Sequence, residues 1–368
     1  MKLVFDARHI GQPFTGLGRY AASLLGALLD SADAPGLAVD VLLHRGPDWA
    51  GNFHFQALRR HIDAGRCQLR WVDVPPFTLR QHWALARAVN QGGGDLYFYP
   101  HFDPPLGVTL PTVFVVHDLI PLLVPGYVQR LAPAKRWYFR QMIRLAVRRA
   151  QRCIAVSETT RDDVLRLVGA RLADKVSVAY EGPVLDRSAA AAATAVPVDG
   201  PYLLYVGDRR PHKNLRRVID LHAALQHDHG YGGRLLLVGS RQNHGFDVDA
   251  YLAGRPGVAV LGNVSDAELL ALYARCDALV FLSAYEGFGL LVVEAAQFDR
   301  RMILSDGGAL PEIAPPSALV LPRDLPVDAA AARAADYLTR PQTIDHTQFN
   351  ARFSWERAAR SIFPSAYR

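Results

Sequence analysis

Strand-length apolar runs alternate with helix-period segments twice along this chain, once on each side of a stretch of small residues. The first series reads "KLVFDA" then "YAASLLGALLD", "VDVLLH", "DLYFYP", "TVFVVHD", "RCIAVS" then "TTRDDVLRLVG", and "KVSVAY". The second reads "YLLYVG", "RLLLVGS", "VAVLGNV", "ALVFLSA" and "RMILSDG". Strands that recur after helices must pair in parallel, because each crossover returns the chain to the same end of the sheet. The stretch between the series, "DRSAAAAATAVPVDG" at 186–200, is rich in small residues and closes in Pro and Gly, the composition of a linker. A length of 368 residues also exceeds the roughly 150 that one core organises. The reading is α/β, with two doubly wound Rossmann-like domains at 1–185 and from 201 onward.

Composition narrows the class. No apolar run reaches the roughly 18 residues of a membrane helix, and "MKLVFDA" lacks a signal-peptide layout, which predicts a cytoplasmic chain without a transmembrane anchor. Cys67, Cys153 and Cys276 form no CxxC or Cys/His cluster, against zinc and against a disulfide framework. The net charge of +6 is concentrated. Between Leu119 and Ser157 there is no Asp or Glu, while Arg130, Lys135, Arg136, Arg140, Arg144, Arg148, Arg149 and Arg152 all fall inside. With Trp137, Tyr138 and Phe139 among them, residues 127–152 read as a basic helical face. That face is either solvated or set against anionic membrane lipid or a phosphorylated acceptor. No nucleic-acid-binding signature accompanies it.

In open parallel sheets ligands gather beyond the carboxyl ends of the strands, and two such domains face to face would form a cleft. "GDRRPHKN" follows one strand and opens a helix whose apolar positions are Leu215, Val218, Ile219, Leu221 and Leu225. Arg209, Arg210 and Lys213 there suit a phosphate group, although arginines at a helix start also serve structure. In "YEGFGLLVVEAA" Glu286 lies in a turn, Gly287 and Gly289 permit close backbone approach, and Glu294 falls in the helix that follows. A carboxylate in an apolar helix requires a partner: the vicinal hydroxyls of a ribose, or an internal ion pair.

These residues resemble the retaining GT-B glycosyltransferases of family 4, which carry E-G-F-G-x-x-x-x-E. "TGLGRYAASLLGALL", "VFVVHDLIPLLVP", "RRAQRCIAVSETTRDDV", "YVGDRRPHKNL", "SDGGALPEIA" and the closing "ARFSWERAARSI" are similar to that family in order and spacing, over nearly the whole chain. The resemblance implies two Rossmann-like domains facing across a cleft, with a nucleotide-sugar domain at 201–349 and a last helix, 350–368, returning to the N-terminal, acceptor-side domain. By the same resemblance Lys213 and an arginine, Arg209 in preference to Arg210, neutralise the leaving diphosphate. The backbone of Gly287, Phe288, Gly289 and Leu290 holds phosphate oxygens. Glu286 contacts donor sugar and phosphate, and Glu294 the ribose. Gly16 and Gly18 let a loop close over the diphosphate, and His117 faces the transferred sugar. No metal or other cofactor is implied. Where family members show "EAMAxGxPV" this chain reads "EAAQFDRRMI", with Asp299, Arg300 and Arg301 replacing the glycine-proline turn.

The form opening "FDARHI...TGLGRY" looks like bacterial enzymes of O-antigen, capsule or exopolysaccharide assembly, many of them mannosyltransferases using GDP-mannose. The expectation is a retaining, metal-independent hexosyltransferase acting on a lipid-linked oligosaccharide, peripheral at the inner membrane. Alternatives are a UDP-, dTDP- or other GDP-sugar donor, a UDP-sugar 2-epimerase of the same fold, and a non-catalytic subunit. Three lookalikes are weaker. "GLGRYA" fits G-x-G-x-x-A but starts about eight residues after its strand, where a dinucleotide turn follows directly. "DVD" at 247–249 resembles a metal-binding Asp-x-Asp but reads better as a helix cap. His101 in "YPHFDPP" either lines the acceptor side or serves structure.

Overall fold

A computed structural model of the chain describes residues 1–12, 15–31, 36–124, 133–185, 187, 199–240 and 246–367. Most of the linker expected at 186–200 therefore lies outside the described residues, as do Arg130 and the start of the 127–152 segment. The chain forms two compact units. The first comprises described residues of 1–119, 132–184 and 353–368, the second the helix Ile120–Leu123 and described residues of 185–352.

The first unit carries seven strands: β1 (Lys2–Asp6), β2 (Ala38–His44), β3 (Gln68–Val72), β4 (Leu96–Tyr99), β5 (Thr112–Val116), β6 (Arg152–Ala155) and β7 (Val176–Val178). Their order is β3-β2-β1-β4-β5-β6-β7, every pairing parallel. Leu3, Val4 and Phe5 are all buried, as a strand covered on both faces requires. The helix Gly16–Asp30 starts where the Thr15 hydroxyl accepts from Gly18 N, and it buries Tyr20, Ala21, Leu24, Leu25, Leu28 and Leu29. Each such leucine contributes about 1.5–3 kcal/mol. The last helix, Trp355–Ile362, is capped by Ser354 and packs on Gly16–Asp30 in this unit. Trp355 Nε1 donates to Pro183 O at 2.8 Å. A Cβ on Gly182 would lie 2.5 Å from Trp355 N, so the approach needs glycine.

The second unit carries β8 (Tyr202–Val206), β9 (Arg234–Val238), β10 (Val258–Gly262), β11 (Ala278–Phe281), β12 (Arg301–Ser305) and β13 (Leu319–Leu321), in the order β10-β9-β8-β11-β12-β13, again wholly parallel. Its core includes the expected helix face Leu215, Val218, Ile219, Leu221 and Leu225. Both sheets are doubly wound, as the alternation predicts. In each, strand order reverses at one point: between β1 and β4, and between β8 and β11.

One expectation is corrected. Arg152 does not belong to the basic helix Pro133–Arg149; it opens β6, and its guanidinium donates to the carbonyls of Ser361 and Ile362. Arg144 and Arg149 likewise spend N–H groups on the carbonyls of Leu167 and Leu106. The exposed charged and aromatic residues of the face are Lys135, Trp137, Tyr138, Arg140, Arg148 and Arg149.

Candidate functional site

The reversal between β8 and β11 brings the loops after these two strands together in the second unit. After β8, Pro211–Lys213 form a single 3-10 turn, and Asn214, in the left-handed region at φ 52°, redirects the chain into the helix Leu215–His229. Lys213 Nζ donates to both carboxylate oxygens of Glu286, at 2.8 and 3.0 Å, and stands 5.2 Å from the Phe281 ring centroid. The ammonium thus lies between a carboxylate and an aromatic face, both of which attract a cation.

The two arginines differ. Arg209 is buried, at 7% exposure. Arg210 is half exposed, and its Nε pairs with Asp208 Oδ2 at 3.0 Å. His212 is buried, and burial followed by the Lys213 charge lowers its imidazole to about 4, which leaves it neutral. Its carbonyl accepts from Ala284 N at 2.7 Å and so ties the β8 loop to the β11 loop.

After β11, Gly287, Phe288 and Gly289 are buried and the helix Leu290–Ala296 begins. Gly289 sits at φ 105°, a conformation open to glycine, and a Cβ there would meet Leu310 at 2.9 Å. Glu294, two turns into the motif, is buried at 3% and accepts from the Tyr273 hydroxyl at 3.2 Å. Asp299 occupies the turn where the family pattern has glycine. It adopts φ 52°, which an aspartate tolerates, and its Oδ1 accepts from His346 N at 2.9 Å. Asp247 of "DVD" caps the helix Val248–Leu252 through Ala250 N.

The loop after β12 was not singled out for a site role, yet it fixes Glu286. Ala309 N donates to Glu286 O at 2.8 Å, and Ser305 Oγ to Ser283 O. Arg323 Nη1 donates to Ala284 O at 2.9 Å. A Cβ on Gly307 would lie 2.2 Å from Ser283 O, and one on Gly308 2.3 Å from Glu286 O. The doubled glycine in "SDGGALPE" is the sequence signal of that contact.

In the first unit, His117 follows β5. Its Nε2 lies 2.9 Å from Pro100 O and its Nδ1 3.3 Å from Glu181 Oε1, with the Tyr20 ring edge-on at 4.5 Å. Burial lowers the imidazole, but the Glu181 carboxylate and the Pro100 carbonyl outweigh it and raise His117 above its ordinary value. Both ring nitrogens are therefore engaged within the unit. Gly18 is buried, and a Cβ there would approach Gln12 O at 2.4 Å, so packing already demands glycine; Gly16 is exposed with open space beside it.

Two family models cover the chain in succession: Glycosyltransferase Family 4 over residues 14–187, and Glycosyl transferases group 1 over 186–354. The chain is 27% identical to O-antigen chain mannosyltransferase B of Escherichia coli, over 90% of this chain and 89% of that one. It is 23% identical to O-antigen chain mannosyltransferase RfbU of Salmonella typhimurium, over 83% and 82%. Among solved structures, sucrose-phosphate synthase from Thermosynechococcus elongatus superimposes with a TM-score of 0.69 at 17% identity, over 100% of this chain and 96% of that one. WaaG, a glycosyltransferase involved in lipopolysaccharide biosynthesis, gives 0.62 at 15%, over 98% and 94%. The two sheets and the two consecutive family matches agree: this chain belongs to the family 4 glycosyltransferases, the glycosyl transferases group 1, and has the GT-B fold.

Proposed function

We propose that this glycosyltransferase moves mannose from GDP-mannose onto a lipid-linked oligosaccharide in bacterial surface polysaccharide synthesis, with retention and without a metal ion. The observation that carries the reading is the Lys213–Glu286 pair seated beside the Gly287–Leu290 backbone. The O-antigen mannosyltransferases among its relatives favour the sugar.

In this reading Lys213 and the buried Arg209 supply the charge that a departing diphosphate requires, while Arg210, paired with Asp208, stays at the rim. Glu286 turns to the donor sugar and Glu294 to the ribose hydroxyls. The bond from the anomeric carbon to phosphate breaks, and the acceptor oxygen bonds on the face the diphosphate leaves. The acceptor's proton passes to the departing phosphate oxygen. Catalysis is then stabilisation of developing negative charge by a cation already in place. In the same reading His117 faces the transferred sugar, as the family resemblance implies. Lys135, Trp137, Tyr138 and Arg140 on the helix Pro133–Arg149 suit an anionic membrane surface, which supports a cytoplasmic enzyme held peripherally at the inner membrane. Among the described residues no helix is long and apolar enough to cross a membrane.

The test is a metal-free thermal-shift panel of nucleoside diphosphates and their sugars on the wild type, Lys213→Ala and Glu294→Ala. At a ligand concentration 100 times Kd the stabilisation is about 2.7 kcal/mol. GDP and GDP-mannose stabilise the wild type, and neither stabilises the two variants. Preference for UDP compounds overturns the donor, and a folded wild type that answers to no nucleotide overturns the catalytic reading.

A further inference from the structure

The first unit has its own reversal point, between β1 and β4, and a crevice for a ligand opens at such a point. His9 lies three residues past the end of β1, in the 3-10 turn Arg8–Gly11, while Tyr99 ends β4 and His101 and Asp103 follow it. His9 is 1% exposed, yet neither Nδ1 nor Nε2 has a hydrogen-bond partner among the described residues. Burial lowers its imidazole to about 3, so the ring is neutral and offers one donor and one acceptor. Its centroid lies 4.9 Å from Phe77 and 6.0 Å from His101, and Phe77 and His101 are 5.0 Å apart. His101 Nδ1 lies 2.5 Å from Asp103 Oδ1, and Asp103 also accepts from the Tyr99 hydroxyl and Gln81 Nε2.

Phe77 is an independent anomaly. It sits at φ 60°, a region that bulky residues avoid, and remains 51% exposed, so little burial offsets the strain. The strain is held from below by Arg8. Its buried Nε donates to the Asp6 carboxylate at 2.9 and 3.1 Å, and Nη1 donates to Val74 O and Pro75 O at 3.0 and 3.2 Å. The Tyr97 hydroxyl completes the Asp6 shell at 2.6 Å. A buried ion pair thus pins the carbonyls two and three residues before an outward, strained phenyl ring, and that ring stands over a histidine with both nitrogens unmatched among the described residues.

We propose that His9, Phe77, His101 and Asp103 seat an uncharged sugar ring of the acceptor, an inference that rests on the transferase reading above. The apolar face of the ring stacks on Phe77, and its hydroxyls reach His9 and the His101–Asp103 pair. A phosphorylated ring is disfavoured, because Asp6 already neutralises Arg8 and Asp103 adds a negative charge.

Saturation-transfer NMR with methyl α-mannoside on the full chain tests this, beside Phe77→Gly and His9→Leu, with the GDP-induced rise in Tm as donor control. Phe77→Gly relieves the left-handed strain, so its Tm holds or rises while mannoside binding weakens about tenfold, a loss that a merely structural role does not produce. His9→Leu weakens the mannoside similarly, and both variants keep the GDP response. Undiminished mannoside binding by both variants overturns the seat, as does a wild type that ignores the mannoside or binds mannose 6-phosphate as tightly. A wild type that holds the mannoside while no nucleoside diphosphate shifts its Tm leaves the seat standing and overturns the donor reading.

Discussion

Lys213 Nζ lies 2.8 Å from Glu286 Oε1 and 3.0 Å from Oε2, so the cation proposed for the donor diphosphate is already neutralised by a carboxylate 73 residues further along. An incoming diphosphate must displace that carboxylate. Glu286→Gln keeps the shape and removes the competing charge. GDP alone should bind about five- to tenfold tighter to the variant, while transfer falls on the order of 100-fold because the donor sugar loses its carboxylate. Calorimetry with GDP reads the first effect; weaker binding by the variant contradicts it.

The doubled glycine after β12 sets where Glu286 stands. Gly307→Ala drives a methyl into Ser283 O, 2.2 Å away, and the β11 loop must move to admit it. A displacement near 1 Å costs about 100-fold in rate at a positioned group. The expected result is that loss in kcat/KM with a lowered Tm, whereas Gly16→Ala, with open space beside it, leaves the fold intact. Normal turnover by Gly307→Ala would show that the contact does not position Glu286.

Two histidines should give stability opposite slopes with pH. His117 is raised in the folded state, so its contribution is full below the ordinary histidine value near about 6.5 and is lost as pH rises through the folded value. His212 is lowered to about 4, so the unfolded chain binds the extra proton, and stability falls as pH drops from about 6.5 toward 4. Glu181→Gln should flatten the alkaline decline of Tm and His212→Asn the acid one. Unchanged slopes in both variants would refute the assignment.

Asp299 stands where the family pattern has glycine, and it keeps the left-handed turn with its own side chain on His346 N. Asp299→Gly should cost little. Asp299→Ala combines positive φ with a lost hydrogen bond and should destabilise by about 1–3 kcal/mol, read by urea denaturation. Equal stability of the two variants would show that the turn is not under strain.

Alternation of strand and helix periods made both sheets legible, because parallel strands buried on two faces leave unbroken apolar runs such as Leu3–Phe5. The turn at Gly287–Gly289 and the helix that carries Glu294 were legible too, because glycine punctuation and helix start are local in the chain. The pairing of Lys213 with Glu286 was not, since it depends on which strands neighbour across the reversal, and no local pattern encodes that. Gly307 and Gly308 stood in plain view, but what a glycine faces is decided by another loop. The basic run misled where helical counting met tertiary structure: Arg144, Arg149 and Arg152 bond carbonyls of other segments. His9 gave no signal at all, because an unmatched buried imidazole is a property of its surroundings.

The segment 353–368 belongs to the first unit, although 185–352 intervene. During synthesis, therefore, the ribosome delivers the whole β8–β13 sheet before the helix Trp355–Ile362 that covers the face of Gly16–Asp30. The nascent first unit waits with Tyr20 incompletely covered until Trp355, whose ring lies 5.3 Å from it, has emerged. A chain interrupted just before Trp355 would leave the earlier-made unit without this cover while sparing the later-made sheet.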